Sequence, residues 1–369
     1  MSPAHLDQLS AILAASPLEA VAINPGPTLT YLTGLQFHLM ERPVVLLFAP
    51  GQTPALILPE LEAAKLTNLP YALQAFPYSE SLDDWRKAFQ AGVDALHLDG
   101  KKIGVEPRAL RILEYRFLEQ AAPKAHFPDA SAELTQLRLR KDAAEIALMR
   151  QAVKIAQAGL EATLSLVKLG MTEIELANEL VIQLLRQGAQ PEMPFAPIVG
   201  SGPNSANPHA APTERKIQAG DLLLFDWGAA YGGYVADLTR TFAVGEIDPK
   251  LAKIHQIVQE ANAAGRAAGK PGAPCSAVDK AARDVIEKAG YGPYFRHRTG
   301  HGIGMEGHEE PYMRGDNPQL LEPGMCYTVE PGIYLLGEGG VRVEDDLVVT
   351  TTGSESLSDM PREIRVVGE

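Results

Sequence analysis

Residues Asp221–Phe242 read DLLLFDWGAAYGGYVADLTRTF. Apolar Leu222–Phe225 leads into Asp226, Tyr231-Gly232-Gly233 supplies a turn, and Tyr234–Phe242 returns with Val, Thr and Phe. Strand-like runs bounded by Gly predict a β-hairpin. Asp226 precedes the turn and Asp237 lies on the return, 237 − 226 = 11 positions later. Paired strands bring the two carboxylates to one face. A carboxylate inside an apolar strand is costly to bury unless a positive charge neutralises it. The hairpin therefore asks for a cation or an Arg partner. The plainer alternative pairs Arg240 with one Asp and leaves the other in solvent.

The 369 residues suggest roughly two domains of about 150 residues each. With 46% hydrophobic and 21% charged residues, the composition is that of a globular protein. A net charge of −13 argues against a nucleic-acid partner, which needs clustered Lys and Arg. No apolar run of about 18 residues is present to span a membrane. The opening MSPAHLDQLSAILAAS has no cationic leader region and predicts an amphipathic helix, not a signal peptide. Two cysteines, Cys275 and Cys326, indicate no disulfide framework and point to a reducing cytoplasm, with a single bridge left open. Two such distant thiols cannot make a cysteine zinc site.

Residues 1–130 read as one α/β unit. Short strands are expected at Val21–Ile23, Val44–Phe48, Ala55–Leu58 and Ile103–Glu106, and helices near Leu82–Gln90 and Pro107–Gln120. His38, Glu41 and Arg42 form a polar group in a loop. Pro128–Lys141 reads as a linker, and residues 131–369 as the second domain. There a helix over Asp142–Lys168 follows from apolar residues at helical spacing, and Thr172 with Glu175 forms a capping-box start for Glu173–Gln187. The stretch PFAPIVGSGPNSANPHA, 194–210, is too irregular for a helix and presents His209 at its end. Helices are expected over Pro249–Ala268, where His255 reads as structural or surface, and over Ala277–Ala289.

HRTGHGIGMEGHEEP, residues 297–311, holds His297, His301 and His308 among glycines. The glycines exclude the helical HExxH arrangement of zinc peptidases. They suit an imidazole brought close to a cluster, since a bare surface loop would gain nothing for their entropic cost. Met325–Pro331 and Val341–Thr350 read as apolar strands with Glu330 and Glu344 inside them, and Arg342 on the same face as Glu344. Arg240 and Arg342 can neutralise two of the four acids but not all four. Two Asp, two Glu and a His make a hard donor set suited to Mn²⁺, Fe²⁺, Co²⁺ or Zn²⁺. A pair of such ions about 3.5–4 Å apart activates a hydroxide and polarises a carbonyl or phosphoryl oxygen. An acidic chain without a Lys-rich loop favours an amide over a polyphosphate.

The order Asp226, Asp237, His301, Glu330, Glu344, set within HRTGHGIG, HEEP and VEPGIY, resembles the pita-bread metallopeptidases, most closely their Xaa-Pro branch of proline dipeptidases and aminopeptidases P. The resemblance spans the whole chain. It implies an α/β (α+β) architecture with a creatinase-like N-terminal domain before a pita-bread catalytic domain, a dinuclear site for two divalent ions with Mn²⁺ first (Co²⁺ or Zn²⁺ as substitutes), proline-containing peptide substrates and a homodimer. In that dimer His38 or Glu41 would stand near the partner's site. It implies that Asp226 chelates one metal, Asp237 and Glu344 bridge both, and His301 and Glu330 each hold one. Glu330 would also be the general base. His308 would stabilise the tetrahedral intermediate, His209 would position substrate around the proline, and Arg342 would orient substrate and acids. Thr239 would hydrogen-bond behind the ligands, and His297 would line the pocket or do the same.

Where some archaeal dipeptidases carry an Arg for the proline carboxylate, this chain has Tyr312, which can donate one hydrogen bond but no charge. That departure favours an aminopeptidase P open to longer peptides over a strict dipeptidase, unless Arg342, Arg314 or a partner loop supplies the charge. Metal-free creatinase-like hydrolases and non-catalytic relatives are the rival classes; both typically lose the acidic ligands, and all four acids and His301 are present here.

Overall fold

The computed structural model describes residues 3–368, which divide into two compact units meeting in sequence between Arg138 and Leu139. In the first, helix α1 (Pro3–Ala14) is followed by β1 (Ala20–Ile23), α2 (Pro27–Thr33), β2 (Val45–Phe48), β3 (Ala55–Pro59), β4 (Gln74–Tyr78), α3 (Leu82–Ala95), β5 (Ile103–Val105), α4 (Ile112–Ala121) and α5 (Ser131–Arg138). The sheet runs β4-β3-β2-β1-β5, antiparallel at its centre and parallel at both edges. Alternation decides its two faces. Ala20, Ala22, Val45, Leu47, Ala55 and Ile57 pack with Phe89 and Val93 of α3 and Leu118 of α4. The intervening Val21, Leu46 and Leu56 are also buried, which is why these strands read as unbroken apolar runs. In the loop after α2, Arg42 pairs with Glu41 and, at 2.9 Å, with Glu80.

The second unit opens with α6 (Ala143–Leu164) and α7 (Glu173–Arg186), each started by a complete capping box, Asp142 with Glu145 and Thr172 with Glu175. Then come β6 (Ile198–Ser201), β7 (Leu222–Trp227), the small hairpin β8 (Ala230–Tyr231) and β9 (Tyr234–Val235), and β10 (Leu238–Val244). Gly232 and Gly233, at φ of 59° and 84°, make the two-residue turn that a side chain would strain. Helices α8 (Pro249–Ala268) and α9 (Cys275–Lys288) precede β11 (Gly300–Gly302), β12 (Glu309–Met313), β13 (Cys326–Val329), β14 (Gly332–Leu335), β15 (Gly339–Arg342), β16 (Asp345–Val349), β17 (Ser354–Ser356) and β18 (Val366–Val367). One sheet runs β18-β10-β7-β6, another β12-β11-β13-β16-β17, and β14 pairs with β15. Met149, Val153, Leu176 and Leu180 of α6 and α7 pack with Leu223, Phe225 and Phe242. Ile254 and Val258 of α8 and Ala282 and Ile286 of α9 pack with Leu222, Ile333 and Val341.

Several expectations need correction. Pro128–Lys141 is not an extended linker, because Ser131–Arg138 is helical. The fourth helix starts at Ile112, not Pro107. Val341–Thr350 is two strands broken at Val343-Glu344, and Glu330 follows Val329 at a strand end, so neither Glu lies inside a strand. Both cysteines are free and buried, which closes the question of a bridge.

Glycines 300 and 302 are demanded by close approach. A Cβ at Gly300 would sit 1.9 Å from the Thr328 carbonyl oxygen, and one at Gly302 2.2 Å from that of Glu310. The histidine-bearing strand is thereby pressed between β12 and β13, which fixes His301 at depth, 2% exposed.

Candidate metal centre

The register of the hairpin places its acids. Thr239 faces Asp226 and Arg240 faces Phe225 across β7 and β10. Directly paired residues share a face, so Asp226, Thr239 and Asp237 lie together and Arg240 lies behind them. Arg240 therefore cannot pair with either hairpin acid. Its Nη2 instead donates to Asp345 Oδ1 at 2.8 Å, while Nη1 donates to the carbonyls of Glu344 at 2.6 Å and Thr239 at 2.9 Å. From behind the sheet it locks Glu344 to the hairpin.

Ligand-type atoms converge in three overlapping groups, each with all atoms within 4.8 Å of one another: Asp226, Asp237 and Glu344; His301, Glu330 and Glu344; and Asp237, His301 and His308. The five metal-ligand candidates read from sequence are thus brought together, with His308 beside them. His301 Nε2 lies 3.7 Å from Asp237 Oδ2 and 3.5 Å from Glu330 Oε1. All line a cavity of about 730 Å³, with Pro194, Phe195, Ala196 and Ile198 forming an apolar wall.

Two observations show that these residues suit divalent cations. His301 Nδ1 lies 3.1 Å from the Gly302 carbonyl, which can only accept, so Nδ1 carries the proton. Burial, reinforced by neighbouring His308, pushes the His301 pKa down, so the ring is neutral and Nε2 aims a lone pair at carboxylate oxygens. Second, Asp226 Oδ1 is buried and has no hydrogen-bond partner among the described residues. An acceptor left so is expensive, and a cation satisfies it. Electrostatics agree. Burial pushes the Asp237 carboxyl well up, and the charges of Glu344 and Asp226 push it further. Burial and the charges of Glu330 and Asp226 do the same to Glu344, and burial raises Glu330 to about 7. Repelling acids packed in an apolar setting are what positive charge relieves.

Residues 147–351 match the model of metallopeptidase family M24, and residues 5–140 match that of the Creatinase/Prolidase N-terminal domain. The chain belongs to metallopeptidase family M24. It is a metallopeptidase of two parts, a creatinase-type N-terminal domain and an M24 catalytic domain. This M24 chain is 34% identical over 364 residues to the Xaa-Pro dipeptidase of Lactobacillus helveticus, covering 98% of itself and 99% of that protein. Among solved structures it superposes on a prolidase from Thermococcus sibiricus with a TM-score of 0.94 at 33% identity, over 100% of both chains. It also superposes on an X-Pro aminopeptidase from Thermotoga maritima with a TM-score of 0.85 at 30% identity, over 98% of this chain and 99% of that one.

Behind the ligand candidates of the M24 domain runs a directed chain of hydrogen bonds. Arg342 Nη2 donates to Asp226 Oδ2 at 2.5 Å, Nε donates to Thr239 Oγ1 at 3.1 Å, and Thr239 donates to Glu344 Oε2 at 2.6 Å. Arg342 Nη1 donates to the Tyr334 hydroxyl at 2.8 Å, which donates onward to His297 Nε2 at 2.8 Å, while His297 Nδ1 donates to the Arg298 carbonyl at 2.8 Å. Both His297 nitrogens are used, and burial with nearby Arg342 pushes its pKa down to about 4. His297 lines the cavity as a neutral ring. His209 and His308 line it from more exposed positions. Tyr312 is not in the cavity wall; it lies under the guanidinium of Arg298, which is.

Sequence reasoning passed over three residues of this M24 site. Tyr334 links Arg342 to His297, and its position in VEPGIY was the available signal. Arg298 stands inside HRTGHGIG, between His297 and His301. Glu173, read only as the start of α7, is a buried carboxylate that accepts from Ser201 N at 2.7 Å, Ser201 Oγ at 2.8 Å, Thr213 N at 3.0 Å and Thr213 Oγ1 at 2.6 Å. It gathers the two ends of the segment that carries His209, and nothing in local pattern announces it.

Proposed function

We propose that this M24 enzyme hydrolyses the peptide bond between an N-terminal residue and proline. The observation that carries the reading is the convergence of Asp226, Asp237, His301, Glu330 and Glu344 on one cavity beside an apolar wall. These five side chains would hold two divalent ions, with Mn²⁺ as the proposed metal. When bound, such ions polarise a scissile carbonyl and acidify a water. Names carried by the relatives, Xaa-Pro dipeptidase, prolidase and X-Pro aminopeptidase, support the choice of bond.

The roles of the chain's own groups follow from their places. Glu330 accepts the proton of the attacking water at a carboxylate oxygen. As the new C–O bond forms and the C–N bond breaks, that proton passes to the leaving proline nitrogen, which has no hydrogen of its own. His308, beside His301 with ring centroids 3.9 Å apart, donates to the carbonyl oxygen as negative charge builds on it. Phe195 and Ile198 offer a surface for an apolar side chain or ring, and His209 approaches substrate from its loop. Arg342 acts by holding Asp226. Among the described residues no helix is long and apolar enough to cross a membrane, and a cytoplasmic homodimer is part of the proposal, tested by sedimentation.

The experiment is hydrolysis of Ala-Pro and Ala-Pro-Ala by Mn²⁺-loaded protein, with Asp237→Asn as control. Cleavage of either substrate at the Ala–Pro bond, lost in the variant, supports the reading; a variant as active as wild type, or no cleavage of either, rejects it.

A further inference from the structure

Three arginines line the cavity. Arg342 is committed, with Nη1, Nη2 and Nε all donating within the site. Arg314 pairs with Asp316 at 2.9 Å and is largely exposed. Arg298 differs from both. It is half-buried and has no carboxylate partner among the described residues. Its guanidinium lies over the Tyr312 ring, Cζ 4.3 Å from the centroid. Its Nη2 is 3.4 Å from His308 Nδ1, beyond a strong hydrogen bond. Stacking on an aromatic face fixes the plane of a guanidinium and leaves its edge donors outward, the arrangement that grips a carboxylate with two parallel bonds.

We propose that Arg298 binds the free proline carboxylate of an Xaa-Pro dipeptide and makes the enzyme dipeptide-selective; this rests on the Xaa-Pro reading above. In a dipeptide the carboxylate carbon lies within about 4 Å of the scissile carbon by covalent geometry, so its partner must stand next to the reacting centre. Arg298 does. One ring, His308, separates it from metal-ligand candidate His301. Tyr312 then serves as the platform under the arginine and not as the carboxylate's partner. The charge that position 312 lacks is supplied from position 298, which reverses the weight Tyr312 carries when it is read in sequence alone.

The test compares Ala-Pro, Ala-Pro-amide and Glu-Pro with the Mn²⁺-loaded full chain, wild type and Arg298→Met, Arg298→Lys. Wild type is expected to prefer the acid over the amide by at least about 10-fold in kcat/KM. Arg298→Met should lose about 10- to 100-fold on Ala-Pro, mostly in KM, as expected for one charge-assisted contact. It should stay within about twofold on the amide, and Arg298→Lys should recover part of the loss. Independently of turnover, L-proline should raise Tm more than prolinamide in wild type, and equally in Arg298→Met. Equal use of acid and amide by wild type overturns the proposal, as does an Arg298→Met enzyme that keeps its preference for the acid or loses only Glu-Pro activity. Should wild type cut none of the substrates, the underlying Xaa-Pro reading falls and the proposal with it.

Discussion

Arg342 reaches Asp226 with Nη2 at 2.5 Å from Oδ2, leaving Oδ1 as the oxygen without a hydrogen-bond partner among the described residues. One carboxylate oxygen is thus tied to protein and the other is reserved. The same arginine steadies Glu344 through Thr239. Removing partners behind a metal ligand typically costs 10- to 100-fold in affinity. Arg342→Met is therefore expected to weaken Mn²⁺ binding by about that factor in calorimetric titration, with Arg342→Lys in between. Unchanged affinity would mean that Asp226 is oriented by something else.

The metal-free protein should lose stability as pH rises. Asp237, Glu330 and Glu344 have pKa values raised by burial first and then by the charge of neighbouring acids, Asp226 in each case, with Glu330 at about 7. A carboxyl raised in the folded state binds its proton more tightly there than in the unfolded chain. Its contribution is full below the unfolded value of about 4.3 and disappears as pH climbs through the folded one. Between about pH 6.5 and 8, above the range in which buried His255 and His297 act in the opposite direction, chelator-treated protein should show a falling Tm, and Mn²⁺ should remove much of that fall. Asp237→Asn should raise the Tm of the metal-free protein at pH 8 and shrink the increase on adding Mn²⁺. A metal-free Tm that climbs over this range counts against the repulsion.

Glu173 is a structural clamp. Its carboxylate collects donors from Ser201 and Thr213 and also accepts from Asn204 Nδ2 at 3.1 Å. Glu173→Ala strands the buried Ser201 N–H and removes the acceptor for the Thr213 N–H, and is expected to cost about 2–4 kcal/mol in denaturant unfolding. Faster hydrogen exchange confined to 198–213 should accompany it. A uniform change across the domain would assign the loss to α7 instead.

His255 gives a pH effect of the opposite sign. It is buried, 2% exposed, and burial lowers its pKa to about 4, so it is neutral when folded. The unfolded chain protonates it below about 6.5. Stability is present above that value and is lost as pH falls toward 4, by about 3 kcal/mol in all. The difference in unfolding free energy between wild type and His255→Gln, followed from pH 7 to 4.5, isolates this residue. A pH-independent difference would show that His255 does not titrate there.

Much of the site was legible because acids in apolar strands are rare and positional. Asp226 and Asp237 were expected on one face through pairing of the hairpin strands, and the Gly-flanked His301 was singled out by the cost of its glycines. The rest depended on contacts between distant segments. Arg240 looked like a partner for the hairpin acids until the register put it on the other face with Asp345. Glu330 and Glu344 read as strand interiors because a run of β-formers does not reveal where a strand breaks. In the first domain, β4 was missed since QAFPY contains a proline, tolerated at Pro77 because the strand lies at the sheet edge. Arg298 and Glu173 carry their meaning only in three dimensions.

The arginine that answers Asp226 is encoded late, at 342 − 226 = 116 positions downstream. At about 5–20 residues per second of synthesis, roughly 6–23 seconds separate the two on the ribosome. Throughout that interval the hairpin acids exist without Arg342; His301 follows Asp226 by 301 − 226 = 75 positions, Glu330 by 330 − 226 = 104, and Glu344 comes only after the arginine. Folding of the catalytic domain therefore cannot settle as its first strands emerge. It must wait for the last third of the chain, and the newborn hairpin is a natural client for whatever shields acidic, apolar strands in the cell.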